Sequence, residues 1–182
     1  MGIDGSRVNR IVFLDRDGVI SRAVVREGRP FPPACVDQTE ILPDVAEALA
    51  LLQRAGMQLV VVTNQPDVAR GTQTREAVDA IDAFLAARLP LDRFEVCYHD
   101  DADNCKCRKP KPGLILAAAR ALGGDARNGF MVGDRWRDIE AGQAAGCRTV
   151  WIDREYAEKS ASGYDYRAQS LLEAAQWIVQ QL

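Results

Sequence analysis

The stretch Ile11-Val12-Phe13-Leu14-Asp15-Arg16-Asp17-Gly18 decides how the rest of the chain is read. Four apolar residues in a row read as a short strand buried on both faces, and a carboxylate follows them directly. Burying that carboxylate is expensive unless it is paired or faces a cation. Asp15 and Asp17 are two residues apart, so in extended backbone both face one side, roughly 6 to 7 Å apart. At that separation one can attack a phosphorus atom while the other handles the leaving group's proton. Gly18 permits the sharp turn that follows. Taken alone, Asp-x-Asp is more often a turn or a helix cap, and the buried strand ahead of it changes that balance.

Outward from this strand, short apolar runs alternate with segments of helical period, the pattern of an α/β protein with a mainly parallel sheet. Strands are expected at 10–14, 59–62, 94–98, 130–132 and 149–152. Helices are expected at 44–55, 74–88, 113–122, 137–145 and 170–182. The helix at 44–55 turns Val45, Ala48, Leu49 and Leu52 inward and stops at Gly56. The arginine- and proline-rich segment 21–33 reads as a loop or small hairpin flap over the first strand's end, and 156–166 as a second loop. One domain spans 1–182, with the flap at about 19–33.

Three further pieces fall beside Asp15 on this plan. Thr63 and Asn64 follow Leu59-Val60-Val61-Val62, where a hydroxyl and backbone N–H groups can hold phosphate oxygens. Arg108-Lys109-Pro110-Lys111-Pro112 supplies cations just before a helix, and a lysine there offsets repulsion between a carboxylate and a phosphate dianion. Gly133-Asp134-Arg135-Trp136-Arg137-Asp138 adds hard oxygen ligands of the kind Mg²⁺ takes, with Asp134 placed to serve beside Asp15 and Asp138 one helical turn later. Asp15, Thr63 and Asp134 each sit at the C-terminal end of an expected strand, where open α/β sheets bind ligands.

A separate cluster occupies 97–107. Cys97, His99, Cys105 and Cys107 form two short pairs that together match a Cys₃His zinc site closed by protein ligands. His99 is the single histidine of the chain. A structural Zn²⁺ there would pin the loop whose last ligand, Cys107, precedes Arg108 and Lys109. Cys35 and Cys147 stand apart and read as small apolar residues.

In this order and spacing, Asp-x-Asp-Gly, the strand-end Thr, the Lys and Gly-Asp-x-x-x-Asp resemble the haloacid dehalogenase superfamily of phosphohydrolases over about residues 11–152. The resemblance implies a Rossmann-like parallel sheet with helices on both faces and no large cap domain. It implies Asp15 as nucleophile, Asp17 as general acid and then base, and Thr63 and Lys109 as holders of the phosphoryl group. It also implies Mg²⁺ on Asp15, the backbone carbonyl of Asp17, and Asp134, with Asp138 behind them. Within the superfamily the zinc loop is similar to two groups, one acting on a heptose bisphosphate and one on histidinol phosphate. Thr63-Asn64-Gln65, Ala69-Arg70-Gly71 and Lys109-Pro110-Lys111-Pro112-Gly113 look more like the heptose group. Pro66-Asp67 and the five residues between His99 and Cys105 depart from it, and that short spacing is typical of the histidinol group. Asn64, Arg108 and Arg70 are the candidate contacts to the rest of the substrate, a small phosphorylated molecule.

The chain has 182 residues, a net charge of −3 and 27% charged residues. That balance gives no electrostatic reason for nucleic acid or an anionic membrane as partner. It argues against a zinc-stabilised nucleic-acid module and against a polynucleotide phosphatase, both of which need a basic groove. An inactive scaffold is disfavoured because every position that the chemistry needs is filled. The opening Met1–Ser6 fits a loose myristoylation pattern, but no second anchoring signal accompanies it. A cytoplasmic monomer is the expectation.

Overall fold

The computed structural model describes residues 9–182; the Met1–Ser6 pattern lies outside them. Thirteen strands and α-helices follow one another along the chain: β1 (Ile11–Leu14), β2 (Val24–Arg26), β3 (Arg29–Phe31), α1 (Val45–Arg54), β4 (Gln58–Asn64), α2 (Arg75–Ala86), β5 (Arg93–Cys97), α3 (Gly113–Ala121), β6 (Phe130–Gly133), α4 (Trp136–Ala145), β7 (Arg148–Ile152), β8 (Tyr166–Ala168) and α5 (Leu171–Gln180). Six strands form one sheet in the order β5-β4-β1-β6-β7-β8, every neighbouring pair parallel.

Strand period two explains the layering. Val12 and Leu14 of β1 face a cluster with Leu59, Val61, Val132 and Val150, covered by α1, α2 and α5. Ile11 and Phe13 face the other side with Val60, Val62 and Met131, covered by α3 and α4. Burial on both faces is why the strands read as unbroken apolar runs. Thr74 and Ser170 cap α2 and α5 by accepting from Ala77 N and Glu173 N, which fixes where those helices start.

The chain leaves β1 towards β4 on one side and returns through β6 on the other. The crevice at the C-terminal end of β1 is therefore a topological switch point. Over it stands the antiparallel hairpin of β2 and β3, whose turn uses positive φ at Glu27 and Gly28.

Two expectations are corrected. The segment 156–166 does not end as a loop: Tyr166 opens β8, a sixth strand registered on β7 through Val150↔Tyr166, Trp151↔Arg167 and Ile152↔Ala168. Its three residues are too few to carry a period, so pairing with a neighbour creates it rather than local preference. Cys35 is not a packed apolar residue but is exposed at the start of a short 3₁₀ turn, whereas Cys147 is buried. Among the described residues no helix is long and apolar enough to cross a membrane.

Candidate active site

Asp15 leaves the end of β1 with its backbone N–H donating to Val132 O of β6 at 3.0 Å, so the sheet itself fixes its position. Lys109 lies buried against it. Its ammonium donates to Asp15 Oδ1 and to Val62 O, both at 2.8 Å, and stands 2.6 Å from Asp138 Oδ1. Asp138 also accepts from Arg135 N at 2.9 Å, tying the start of α4 to the same charge cluster. Burial alone would strip Lys109 of its proton, but Asp138 and Asp15 together hold the ammonium above its ordinary range. Burial pushes Asp15 up to about 6, with Lys109 pulling it down and Asp138 raising it.

Asp134, just past β6, is 3% exposed and neither carboxylate oxygen has a well-formed hydrogen bond. Burial, then Asp15, then Asp138 drive its pKa well above the ordinary carboxylate range. The Tyr156 phenol is turned towards it and is pushed up by burial and by Asp134. Gly18, at φ +93°, gives way to this carboxylate: a Cβ there would lie 1.8 Å from Asp134 Oδ2. Oxygens of Asp15, Asp134 and Asp138 lie within 4.8 Å of one another. Three carboxylates facing one ammonium leave a net negative charge in a buried pocket, with only a neutral phenol turned towards Asp134. A divalent hard cation fits that donor set.

Asp17 points elsewhere. Its Oδ1 accepts from Ser21 Oγ at 3.0 Å and its Oδ2 from Gln65 Nε2 at 2.9 Å. Arg16 Nη2 donates to Oδ2 at 3.0 Å. Gln65 Nε2 also donates to Thr63 Oγ1 at 2.9 Å, so the Thr63 hydroxyl keeps its own hydrogen for another acceptor. Asp15, Asp17, Thr63, Asn64, Lys109 and Asp138 line one small cavity, roofed by Pro30, Phe31 and Pro32 of the hairpin.

The cysteine cluster forms beside it. Sγ atoms of Cys97, Cys105 and Cys107 are 3.2, 3.4 and 3.7 Å apart, and His99 Nδ1 is 3.6 and 3.4 Å from Cys97 and Cys107. A tetrahedron with Zn–S bonds of ~2.3 Å has edges of about 3.8 Å, so the donor set fits Zn²⁺. Arg108 N donates to Cys105 Sγ at 3.4 Å, one residue before Lys109. Gly113, opening α3, touches this loop so closely that a Cβ would meet Lys106 O at 2.2 Å.

A family model for haloacid dehalogenase-like hydrolases matches residues 10–146. The chain belongs to that family. This hydrolase is 37% identical over 157 residues to the D-glycero-beta-D-manno-heptose-1,7-bisphosphate 7-phosphatase of Vibrio cholerae serotype O1, covering 79% of this chain and 80% of that protein. It is 33% identical over 187 residues to the protein of the same name from Escherichia coli K12, covering 93% and 94%. Among solved structures, the D,D-heptose 1,7-bisphosphate phosphatase of B. bronchiseptica complexed with magnesium and phosphate superposes with a TM-score of 0.80 at 28% identity, over 95% of this chain and 99% of that one.

The hydrolase brings most of the expected site together, but three residues fall differently. Asn64 exchanges hydrogen bonds with the Lys109 backbone, Nδ2 to O at 3.0 Å and N to Oδ1 at 3.1 Å, so its amide clamps the lysine loop. Arg70 is held by Asp100 at 2.7 Å and lines a separate groove between the hairpin and 67–77. Arg108 donates to Asp101 at 2.8 Å and borders the cysteine loop rather than the Asp15 cavity. Arg135 and Arg137, in the motif that carries Asp134 but not singled out, do line that cavity. Arg16, Ser21 and Gln65 were missed as well. Arg16 has no exposure at all, a state a charged residue next to two aspartates does not advertise in sequence.

Proposed function

We propose that the protein is a Mg²⁺-dependent phosphatase that removes the 7-phosphate of D-glycero-D-manno-heptose 1,7-bisphosphate through an aspartyl-phosphate on Asp15. The observation that carries the chemistry is the buried Lys109 ammonium shared by Asp15 and Asp138 beside the unpartnered Asp134. The similarity to heptose bisphosphate phosphatases supports the substrate.

An Asp15 oxygen attacks phosphorus as the bond to the sugar oxygen breaks, and Asp17 gives that oxygen its proton. Water then attacks the same phosphorus, Asp17 takes a proton from it, and phosphate leaves while Asp15 regains its carboxylate. Lys109 steadies Asp15 and the phosphoryl oxygens, and Thr63 donates its free O–H to them. Asp15, Asp134 and the Asp17 carbonyl would hold Mg²⁺, which would supply divalent charge to offset repulsion between carboxylates and phosphate. The hairpin residues Pro30 to Pro32 limit water over the site. Zn²⁺ on Cys97, His99, Cys105 and Cys107 stiffens the chain leading to Lys109. Thiolate ligation suits a reducing compartment, which supports a cytoplasmic enzyme, acting as a monomer.

Histidinol phosphate is the second reading, favoured by the five residues between His99 and Cys105. Phosphate release with Mg²⁺ from both substrates side by side separates them: preference for the bisphosphate supports the heptose reading, and preference for histidinol phosphate replaces it. Asp15→Asn must lower release by a factor of ~10⁴ or more with the fold intact; a smaller loss refutes the aspartyl-phosphate.

A further inference from the structure

Arg16 is the largest side chain fully shut away from solvent, and no step above uses it. Its guanidinium serves two acids at once. The Nε and Nη2 edge grips Asp17, at 3.2 Å to each oxygen from Nε and 3.0 Å from Nη2. The opposite nitrogen, Nη1, donates to Asp82 Oδ1 at 2.8 Å. Asp82 comes from α2, where it interrupts an inward stripe of Val78, Ile81 and Leu85. A carboxylate on an apolar helix face needs a partner there, and the Arg16 guanidinium is that partner.

We propose that Asp82 and Arg16 are positioning residues for the proton donor, fixing the Asp17 carboxylate where it can reach the leaving oxygen. This rests on the phosphatase reading above. A guanidinium is planar and rigid, so a carboxylate bound along one edge is oriented as well as attracted. Arg16 follows Asp15 directly, and its long side chain would swing if only Asp17 held it. Asp82, anchored on a helix, pins the far end. Ser21 and Gln65 then limit what rotation Asp17 retains, and Gln65 links it to Thr63. Asp82 touches no reacting atom.

Loss of this alignment has a signature distinct from general damage. When Asp15 attacks, phosphorus–oxygen cleavage needs Asp17's proton only if the departing oxygen is strongly basic. A sugar or alkyl alkoxide requires it, whereas p-nitrophenolate leaves without it. Misplacing Asp17 should therefore slow alkyl esters far more than aryl esters.

The experiment is single-turnover release of the alcohol, enzyme in excess with Mg²⁺, from p-nitrophenyl phosphate, phenyl phosphate and glycerol 3-phosphate. Wild type is compared with Asp82→Asn and Arg16→Lys, with Asp17→Asn as reference. Melting temperature and zinc content show which variants are folded, and Arg16→Lys carries the test where Asp82→Asn does not fold. The expected result is a fall of about 30-fold for glycerol 3-phosphate and less than about fivefold for p-nitrophenyl phosphate, in the same order as Asp17→Asn; loss of general acid catalysis spans ~10² to 10⁴. Equal slowing of all three esters, or no slowing of any while the wild type is active, overturns the positioning role. A wild type inert towards the whole series and towards heptose 1,7-bisphosphate and histidinol phosphate refutes the phosphatase reading first.

Discussion

Replacing Asp134 with Asn should make the Mg²⁺-free protein more stable while abolishing its response to Mg²⁺. Oxygens of Asp134, Asp15 and Asp138 lie within 4.8 Å, and at an effective dielectric constant of ~20 two unit charges that far apart repel by about 3.5 kcal/mol. Asp134 faces two such neighbours with only the Tyr156 phenol turned towards it, while Lys109 is engaged by Asp15 and Asp138. Burial, Asp15 and Asp138 all push the Asp134 pKa upward, which offsets part of the repulsion. The expected net gain for Asp134→Asn is about 2 kcal/mol, which for a chain of this length raises Tm by roughly 4 to 8 °C. Mg²⁺ at a hundred times its Kd should stabilise wild type by about 2.7 kcal/mol and the variant hardly at all. Thermal scans in chelator-free buffer, with Mg²⁺ added in steps, measure both. A variant destabilised by 1 kcal/mol or more without Mg²⁺, or one that keeps the wild-type Mg²⁺ response, refutes the idea that Asp134 is strained for a cation.

Gly113→Ala would drive a methyl into Lys106 O at 2.2 Å; overpacking of this kind costs about 1 to 3 kcal/mol. Zinc should leave the variant at lower chelator concentration, and unchanged zinc retention would show that the contact yields freely. At pH 8 a thiol reagent should reach the exposed Cys35 within minutes and spare buried Cys147, with the three cluster thiols appearing only after chelation. Burial pushes Cys147 up to about 12, above an unfolded value of ~8.5. Its contribution is thus whole below pH ~8.5 and drains as pH rises towards 12. The stability difference between wild type and Cys147→Ala should shrink over that window in denaturant titrations, and a constant difference would contradict it. Phe31→Ala removes part of the roof over the Asp15 cavity. KM for a sugar phosphate should rise about tenfold, with a much smaller change for p-nitrophenyl phosphate; equal changes would mean that the hairpin does not contact the sugar.

The sheet was legible because its strands are buried on both faces, so Ile11–Leu14 and Leu59–Val62 are unbroken apolar runs whose ends carry Asp15 and Thr63. Asp15, Thr63 and Asp134 could be placed beside one another from topology alone. What pattern could not reveal was partnership. Arg70 and Arg108 look like free cations in sequence, but Asp100 and Asp101, brought to them by folding, claim both. Arg16 looks like a solvated neighbour of two acids, yet its second partner lies 66 residues on in α2. Period reports which side chains are buried, and a buried charge is chosen by what meets it across the core. Tyr166–Ala168 fails for a related reason, because an edge strand of three residues exists only through the one beside it.

The strand order has a consequence for how the molecule opens. Asp15, Thr63 and Asp134 hang from β1, β4 and β6, the contiguous centre of the sheet, while β5 and β8 are its edges and the hairpin is a separate two-stranded sheet. Backbone amides of the central strands exchange with solvent only when the whole sheet comes apart, whereas hairpin amides exchange through local opening. Asp15, Thr63 and Asp134 should thus share the slowest layer of the molecule's breathing, with the hairpin over them opening faster. Opening of the hairpin alone should therefore leave the alignment of the groups beneath it undisturbed.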